Sequence, residues 1–166
     1  AEEISFVSQD NFLFDVSIRD NIRLGKPDAS EDEIIRAAKA AHCHEFIMAL
    51  PGGYETKAGV AGGAMSGGER QRITLARAIL KPASTIILDE ATAYADPENE
   101  ALIQEAISHL VKGKNLVIVA HRLNTIKQAH QIILIDKGQI IAKGRHDELL
   151  QEPLYASLWR PYLGEE

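Results

Sequence analysis

The chain has 166 residues, of which 45% are hydrophobic, and a formal net charge of −6. This length and hydrophobic content suffice for a sizeable core and favour one domain. The acidic balance disfavours non-specific nucleic-acid binding, the apolar runs are too short to span a bilayer, and a single cysteine excludes an internal disulfide framework.

The N-terminal part predicts one strand followed by a helical block. The alternating segment EISFVSQ predicts a strand that ends at Gln9, and the lack of Met or a signal peptide predicts that the chain begins inside a domain. Helical periodicity runs over residues 18–50, where Ser30 and an acidic first turn predict a helix start. Two apolar residues in the loop after the strand, Phe12 and Phe14, predict a docking surface.

Glycine dominates residues 52–68, which hold seven of the twelve glycines in the chain and predict a long flexible loop. At the end of this segment, Ser66, Gly67 and Gly68 open a helix predicted over residues 69–80. A helix start carries partial positive charge and unpaired amides, and glycines there let a phosphate approach the backbone. Because the sequence has no G-x-x-x-x-G-K-[ST] loop, either this phosphate interpretation is wrong or the chain carries half of a site.

The second half alternates between strand and helix patterns. STIILD and NLVIVA predict buried strands, separated by a helix that Asp96 caps and Pro97 begins. QIILID and QIIAKG predict a hairpin, and the tail predicts short helices with a packed aromatic stripe of Tyr155, Trp159 and Tyr162. Strands that are apolar on both faces predict a parallel α/β sheet covered on both sides.

Polar side chains follow three of the predicted strands. The strand over STIILD ends in Asp89 and Glu90, the next ends at His121, and the first ends at Gln9. Ligands bind beyond the carboxyl ends of such strands, and an acid there suits Mg²⁺ while a second acid can act on water. Taken alone, the acidic pair fits a helix cap or turn equally well, and the histidine has a structural alternative.

The order of these motifs resembles the nucleotide-binding domain of ATP-binding cassette (ABC) transporters. The resemblance rests on SGGERQR, IILDEATA, DPENE and VIVAHRL and runs from about residue 3 to the C-terminus. It implies that Gln9 is the Q-loop glutamine and that Ser66, Gly67, Gly68 and Glu69 form the signature motif. It also implies that Asp89 is the Walker B acid and that Glu90 is the acid that activates water. Asp96 would be the D-loop aspartate, and His121 the switch histidine.

The resemblance also implies the fold and the cofactors. The fold is expected to be an incomplete P-loop NTPase-like parallel sheet flanked by helices, with a small helical subdomain. Residues 10–80 would form the Q-loop, helical subdomain and signature helix, and residues 81–166 the Walker B, D-loop, H-loop and C-terminal part. ATP is expected with Mg²⁺ near Asp89 and Gln9, and the phosphate-binding lysine upstream of this chain. The isolated chain is therefore expected to be inactive as an ATPase.

Longer stretches resemble exporters whose ATPase is fused behind a membrane domain. This implies two partners: a second ABC ATPase domain, in a homodimer or heterodimer, and a membrane domain. Nucleic acid is not expected as a partner, and the protein is expected at the cytoplasmic face of the cell membrane. One departure is Gly59-Val60, where a Gly-Glu pair is usual. The alternatives are a soluble ABC-type ATPase of DNA repair or chromosome maintenance, disfavoured because no heptads precede the signature, and an inert fragment or interaction module.

Two further patterns have structural interpretations. The run His42-Cys43-His44 is not expected to bind a metal, because consecutive residues on a helix point about 100° apart and cannot share one ion. Arg70 and Arg72 are interpreted as solvated or paired with neighbouring groups.

Overall fold

The computed structural model of the protein describes residues 4–8, 11–61, 65–89, 97–120, 123 and 126–163. The chain divides into two compact units, residues 1–119 and residues 120–166. Within the described residues, no helix is both long enough and apolar enough to cross a membrane. The functional subdivision predicted at residue 80 stays a prediction.

The first unit contains a three-stranded parallel sheet. Its strands are β1 (Ile4–Val7), β2 (Thr85–Asp89) and β3 (Asn115–Val119), in the order β1-β2-β3. Val7 pairs with Leu88, and Asp89 pairs with Val119, so the three strands end nearly level. The predicted parallel sheet flanked by helices is thereby confirmed, while Gln9, given as the end of the first strand, lies outside the described residues.

Four short helices follow β1. They are α1 (Ile18–Arg23), α2 (Glu31–Ala40), α3 (His44–Ala49) and α4 (Ala58–Ala61). The start of α2 is a capping box, in which the Ser30 hydroxyl accepts from the Glu33 amide and the Glu33 carboxylate accepts from the Ser30 amide. The helix start predicted at Ser30 is therefore confirmed.

The long loop predicted over residues 52–68 is wrong for its first part. A 3₁₀ turn (Gly53–Glu55) and α4 occupy it, and the Ala58 amide donates to the Val16 carbonyl at 2.9 Å. Glycine richness predicts a lack of regular structure only where no neighbouring segment offers hydrogen-bond partners, and residues 16–18 offer them here. Residues 62–64 lie outside the described part.

Two longer helices complete the core of the first unit, α5 (Gly67–Leu80) and α6 (Pro97–Val111). They contribute fully buried side chains to one hydrophobic cluster that also contains residues of β2, α1 and α2: Ile73, Leu75, Ile103, Leu110, Ile86, Ile22 and Ile34. Each such side chain contributes roughly 1.5–3 kcal/mol through its burial. This cluster holds the start of α5 and the end of β2 in place.

The prediction that the sheet is covered on both sides is wrong for the described chain. Ser5 and Val7 of β1 are buried, whereas the alternate residue Phe6 is 59% exposed, and Val117 and Val119 of β3 are about half exposed. An apolar strand predicts a covering layer, but whether one is present depends on which other segments pack there. Among the described residues, the face of the sheet with Ser5 and Val7 packs against the core, and the face with Phe6, Val117 and Val119 is exposed.

The second unit consists of a hairpin and two helices. Strands β4 (Ile132–Asp136) and β5 (Gln139–Gly144) form an antiparallel pair. The turn between them consists of Lys137 and Gly138, and both have the positive φ of a type I′ hairpin turn. Helices α7 (His146–Leu149) and α8 (Pro153–Leu163) follow. The predicted hairpin and tail helices are confirmed. So is the packing of Tyr155 and Trp159, which are 1% and 4% exposed; the side chain of Tyr162 lies outside the description.

Candidate functional site

The start of α5 is built by a capping box. The Ser66 hydroxyl accepts a hydrogen bond from the Glu69 amide at 3.2 Å, and the Glu69 carboxylate accepts one from the Ser66 amide at 2.7 Å. Ser66 itself is exposed, and its hydroxyl still has a proton to donate. The predicted serine therefore stands at an accessible helix start, and Glu69 holds it there.

The two glycines after Ser66 differ in their surroundings. A methyl group placed on Gly67 would meet nothing within 4 Å, so the space beside this residue is open. A methyl group on Gly68 would lie 2.8 Å from the Asn99 side chain of α6, so close packing of the two helices requires glycine there. Within the described residues, nothing accepts a hydrogen bond from either amide, which leaves both available for an anion.

The acidic strand end is the second part of the site. Asp89 is the last residue of β2 and lies opposite Val119, the last residue of β3. In the sequence, Glu90 follows Asp89 directly, and His121 comes two residues after the end of β3. Glu90 and His121, together with Gln9 and Asp96, lie outside the described residues.

A buried polar contact that sequence reasoning missed joins α5 to the loop after β1. The fully buried side chain of Asn21 donates to the Phe14 carbonyl at 3.0 Å and accepts from the Phe14 amide at 2.9 Å. Arg77 of α5 donates to the Asn21 side-chain oxygen at 2.9 Å and to its carbonyl at 2.8 Å. Burial lowers the pKa of Arg77. Asn21 lies on the otherwise apolar buried face of α1, and this is the sequence pattern that could have indicated the contact.

Around this contact lies an exposed apolar surface, here called the apolar patch: Phe6, Phe12, Phe14 and Leu24, each 49–62% exposed. The rings of Phe12 and Phe14 meet edge to face, with centroids 5.0 Å apart. Phe6, Phe12 and Leu24 line a cleft of about 350 Å³. Phe12 and Phe14 are thus exposed, and the docking surface predicted at these residues stays a prediction.

The two arginines after the signature have separate neighbours. Arg70 donates to the Met65 carbonyl at 3.1 Å, as expected of a residue paired locally. Arg72 is only 6% exposed, and its guanidinium carbon lies 5.2 Å from the centre of the Phe46 ring. Of the two predicted alternatives, solvated or paired with neighbouring groups, Arg72 therefore fits the second, because its cation lies over an aromatic face.

A model of the ABC transporter family matches residues 1–93. The match spans more than half of the chain and includes the segments with Gln9, Ser66 to Glu69, and Asp89 with Glu90. The chain belongs to the ABC transporter family.

Curated ABC transporter relatives match almost the whole chain. An ATP-dependent lipid A-core flippase of Legionella pneumophila (strain Paris) is 49% identical over 160 residues, which cover 96% of this chain and 27% of the flippase. A mitochondrial potassium channel ATP-binding subunit of Rattus norvegicus is 46% identical over 158 residues, which cover 95% of this chain and 22% of that protein. The chain thus spans about a quarter of the length of the relatives it matches.

Proposed function

We propose that this chain is part of an ATP-binding and ATP-hydrolysing module that powers export by an ABC transporter. The observation that carries the proposal is the accessible start of α5 at Ser66, which is capped and has glycine amides beside it. In the same chain, the strand β2 of the parallel sheet ends in Asp89. A helix start binds phosphate, and an acid at the edge of a parallel sheet suits Mg²⁺. The family match supports the same function.

In this proposal, each predicted residue has one role. Glu90 is the general base that takes a proton from the attacking water, and Asp89 and Gln9 hold Mg²⁺. The proposal assigns His121 to the γ-phosphate and Asp96 to the nucleotide. ATP supplies the phosphoryl group, and Mg²⁺, when bound, would neutralise charge on its phosphates. The carboxylate oxygen of Asp89 is the hard ligand that this ion prefers.

At the signature, Ser66 donates its hydroxyl proton, and Gly67 and Gly68 donate their amides to the phosphate. The open space beside Gly67 fits the approach of such a group. The negatively charged Glu69 carboxylate accepts a hydrogen bond from the Ser66 amide. We therefore assign Glu69 to positioning Ser66 within the nucleotide site. Donors aimed at developing phosphate charge stabilise the transition state.

The phosphate at Ser66 is proposed to come from a second ABC ATPase domain, in a homodimer or heterodimer. The sequence has no lysine loop to hold that phosphate itself, and the signature can serve a partner's nucleotide. The apolar patch is the proposed contact for the membrane domain, at the cytoplasmic face of the membrane. These partners do not include nucleic acid.

The runner-up, a soluble ABC-type ATPase of DNA repair or chromosome maintenance, is less well supported. Proteins of that class resemble this chain at the signature and Walker B motifs, but insert a long coiled coil between the first strand and the signature. Here the longest helix between β1 and α5 in the described residues has 10 residues, which is too short for a coiled coil.

The proposal is tested by Glu90→Gln in the complete protein. Glutamine keeps the size of the side chain and removes the base, so ATP turnover should fall by about 10²–10⁴-fold while ATP binding stays nearly unchanged. Phosphate release and equilibrium nucleotide binding measure the two quantities. Glu45→Gln, at an exposed position on α3, is the matched control and should hydrolyse ATP normally. Turnover of Glu90→Gln within several-fold of the unmodified protein would remove Glu90 from this role.

A further inference from the structure

A cluster of metal-ligating side chains lies outside the proposed nucleotide site. His42 belongs to the turn between α2 and α3, and Glu105 and His109 belong to α6. Glu105 and His109 are four residues apart, so they share one face of the helix. The fold thus brings two imidazoles and one carboxylate together from segments about 60 residues apart in the sequence.

The distances in this cluster suit a single ion. One ligand atom from each of the three residues lies within 4.8 Å of the other two, and His42 Nε2 lies 3.1 Å from a Glu105 carboxylate oxygen. Zinc bound tetrahedrally at 2.0–2.1 Å holds its ligand atoms about 3.4 Å apart. His42 and Glu105 already have nearly that separation, and the side chain of His109 is exposed and therefore able to adjust.

The state of His42 is the second observation. Its Nε2 atom is buried and makes no hydrogen bond of acceptable geometry, although a carboxylate oxygen lies so near. The backbone of His42 is also left-handed, with φ of 54°, which is uncommon for a residue other than glycine. A cation shared by the nitrogen and the carboxylate would satisfy both groups.

The two residues after His42 are not part of the cluster. The Cys43 thiol is buried, donates to the Ala38 carbonyl at 3.3 Å, and has a pKa that burial raises to about 12, so it stays protonated. His44 shares a hydrogen bond of 2.9 Å with the Tyr54 hydroxyl. Of the three consecutive residues, His42 alone belongs to the cluster in the described chain, and the other members of the cluster come from α6.

We propose that His42, Glu105 and His109 bind one transition-metal ion of the zinc type, with water in the fourth position. Two imidazoles and one carboxylate suit Zn²⁺, whereas Mg²⁺ prefers oxygen ligands alone, so this site is separate from the Mg²⁺ that accompanies ATP. Glu105 and His109 are exposed, so an ion can reach the cluster from the solvent. Bound metal ties the turn after α2 to α6 and stabilises the first unit.

The test is a Zn²⁺ titration of the complete protein after removal of metal by a chelator, with cobalt absorption as a second readout of tetrahedral coordination. The unmodified protein should bind one Zn²⁺ per chain, and excess Mg²⁺ should not compete. His109→Gln and His42→Asn should each weaken binding by about tenfold or more. Asparagine tolerates the left-handed backbone of His42, so that variant should still fold.

The matched control is His130→Gln, which removes an exposed histidine outside the cluster and should bind Zn²⁺ like the unmodified protein. Zn²⁺ should raise the thermal midpoint of the unmodified protein and of the control, and of neither cluster variant, because only a bound ion stabilises the folded state. Absence of Zn²⁺ binding, or equal affinity in either cluster variant, would overturn the proposal.

Discussion

Gly67 and Gly68 are adjacent in the sequence but are glycine for different physical reasons. Gly67 has open space around it, and Gly68 packs against Asn99 of α6. The first is suited to the approach of a ligand and the second to the approach of a helix. A motif that sequence reasoning treats as one unit therefore combines a binding position and a packing position.

This difference predicts opposite outcomes for two alanine variants of the complete protein. Gly68→Ala should lower the free energy of unfolding by about 1–3 kcal/mol, because the new methyl group overlaps the Asn99 side chain. Gly67→Ala should leave stability unchanged or raise it by up to about 1 kcal/mol, since alanine favours helix, yet reduce ATP turnover. Urea unfolding and phosphate release separate the two effects. Normal turnover in Gly67→Ala would count against a phosphate at this position.

At the scale of elements, the link between α5 and the loop after β1 depends on the planar fork of Arg77. This side chain donates to both the carbonyl and the side-chain oxygen of Asn21, which in turn holds Phe14. A lysine cannot reproduce two such parallel hydrogen bonds. The position of the apolar patch relative to α5 therefore follows from one partly buried arginine.

Arg77→Lys is expected to lower the free energy of unfolding by about 1–3 kcal/mol, because lysine cannot make both hydrogen bonds to the buried Asn21. The control is Arg23→Lys in α1, where the arginine forms partly exposed pairs with Asp20 and Glu31, and the change should stay within about 0.5 kcal/mol. Denaturant titration of both variants measures the difference. Equal stability of the two variants would show that the fork at Arg77 is not needed.

The helix starts that sequence reasoning predicted are set by local interactions. The capping box of Ser30 with Glu33 spans three residues, and so does that of Ser66 with Glu69, so the sequence alone indicates both helix starts. The contact of Arg77 with Asn21 joins residues 56 apart, and no local pattern indicates it. The open face of the sheet escaped prediction for the same reason, since coverage depends on distant segments.

For the molecule as a whole, the 166-residue chain tested alone should hydrolyse no ATP above background. Phosphoryl transfer depends on positioning of the phosphates, and the sequence has no G-x-x-x-x-G-K-[ST] loop to hold them. Calorimetric titration with MgATP and a phosphate-release assay test this expectation. Micromolar binding with turnover would contradict it; Lys114 would then be the first residue to mutate, since Lys26 already pairs with Glu33 at 2.6 Å.

The contact between Arg77 and Asn21 also has a thermodynamic consequence. It joins the helix that begins at Ser66 to the loop that carries Phe12 and Phe14, so a partner on one surface and a phosphate on the other act on the same body. When two ligands influence each other through one protein, the factor by which the first changes the affinity of the second equals the reverse factor. Whatever docking at the apolar patch does to nucleotide affinity, nucleotide must therefore do to docking, in the same ratio.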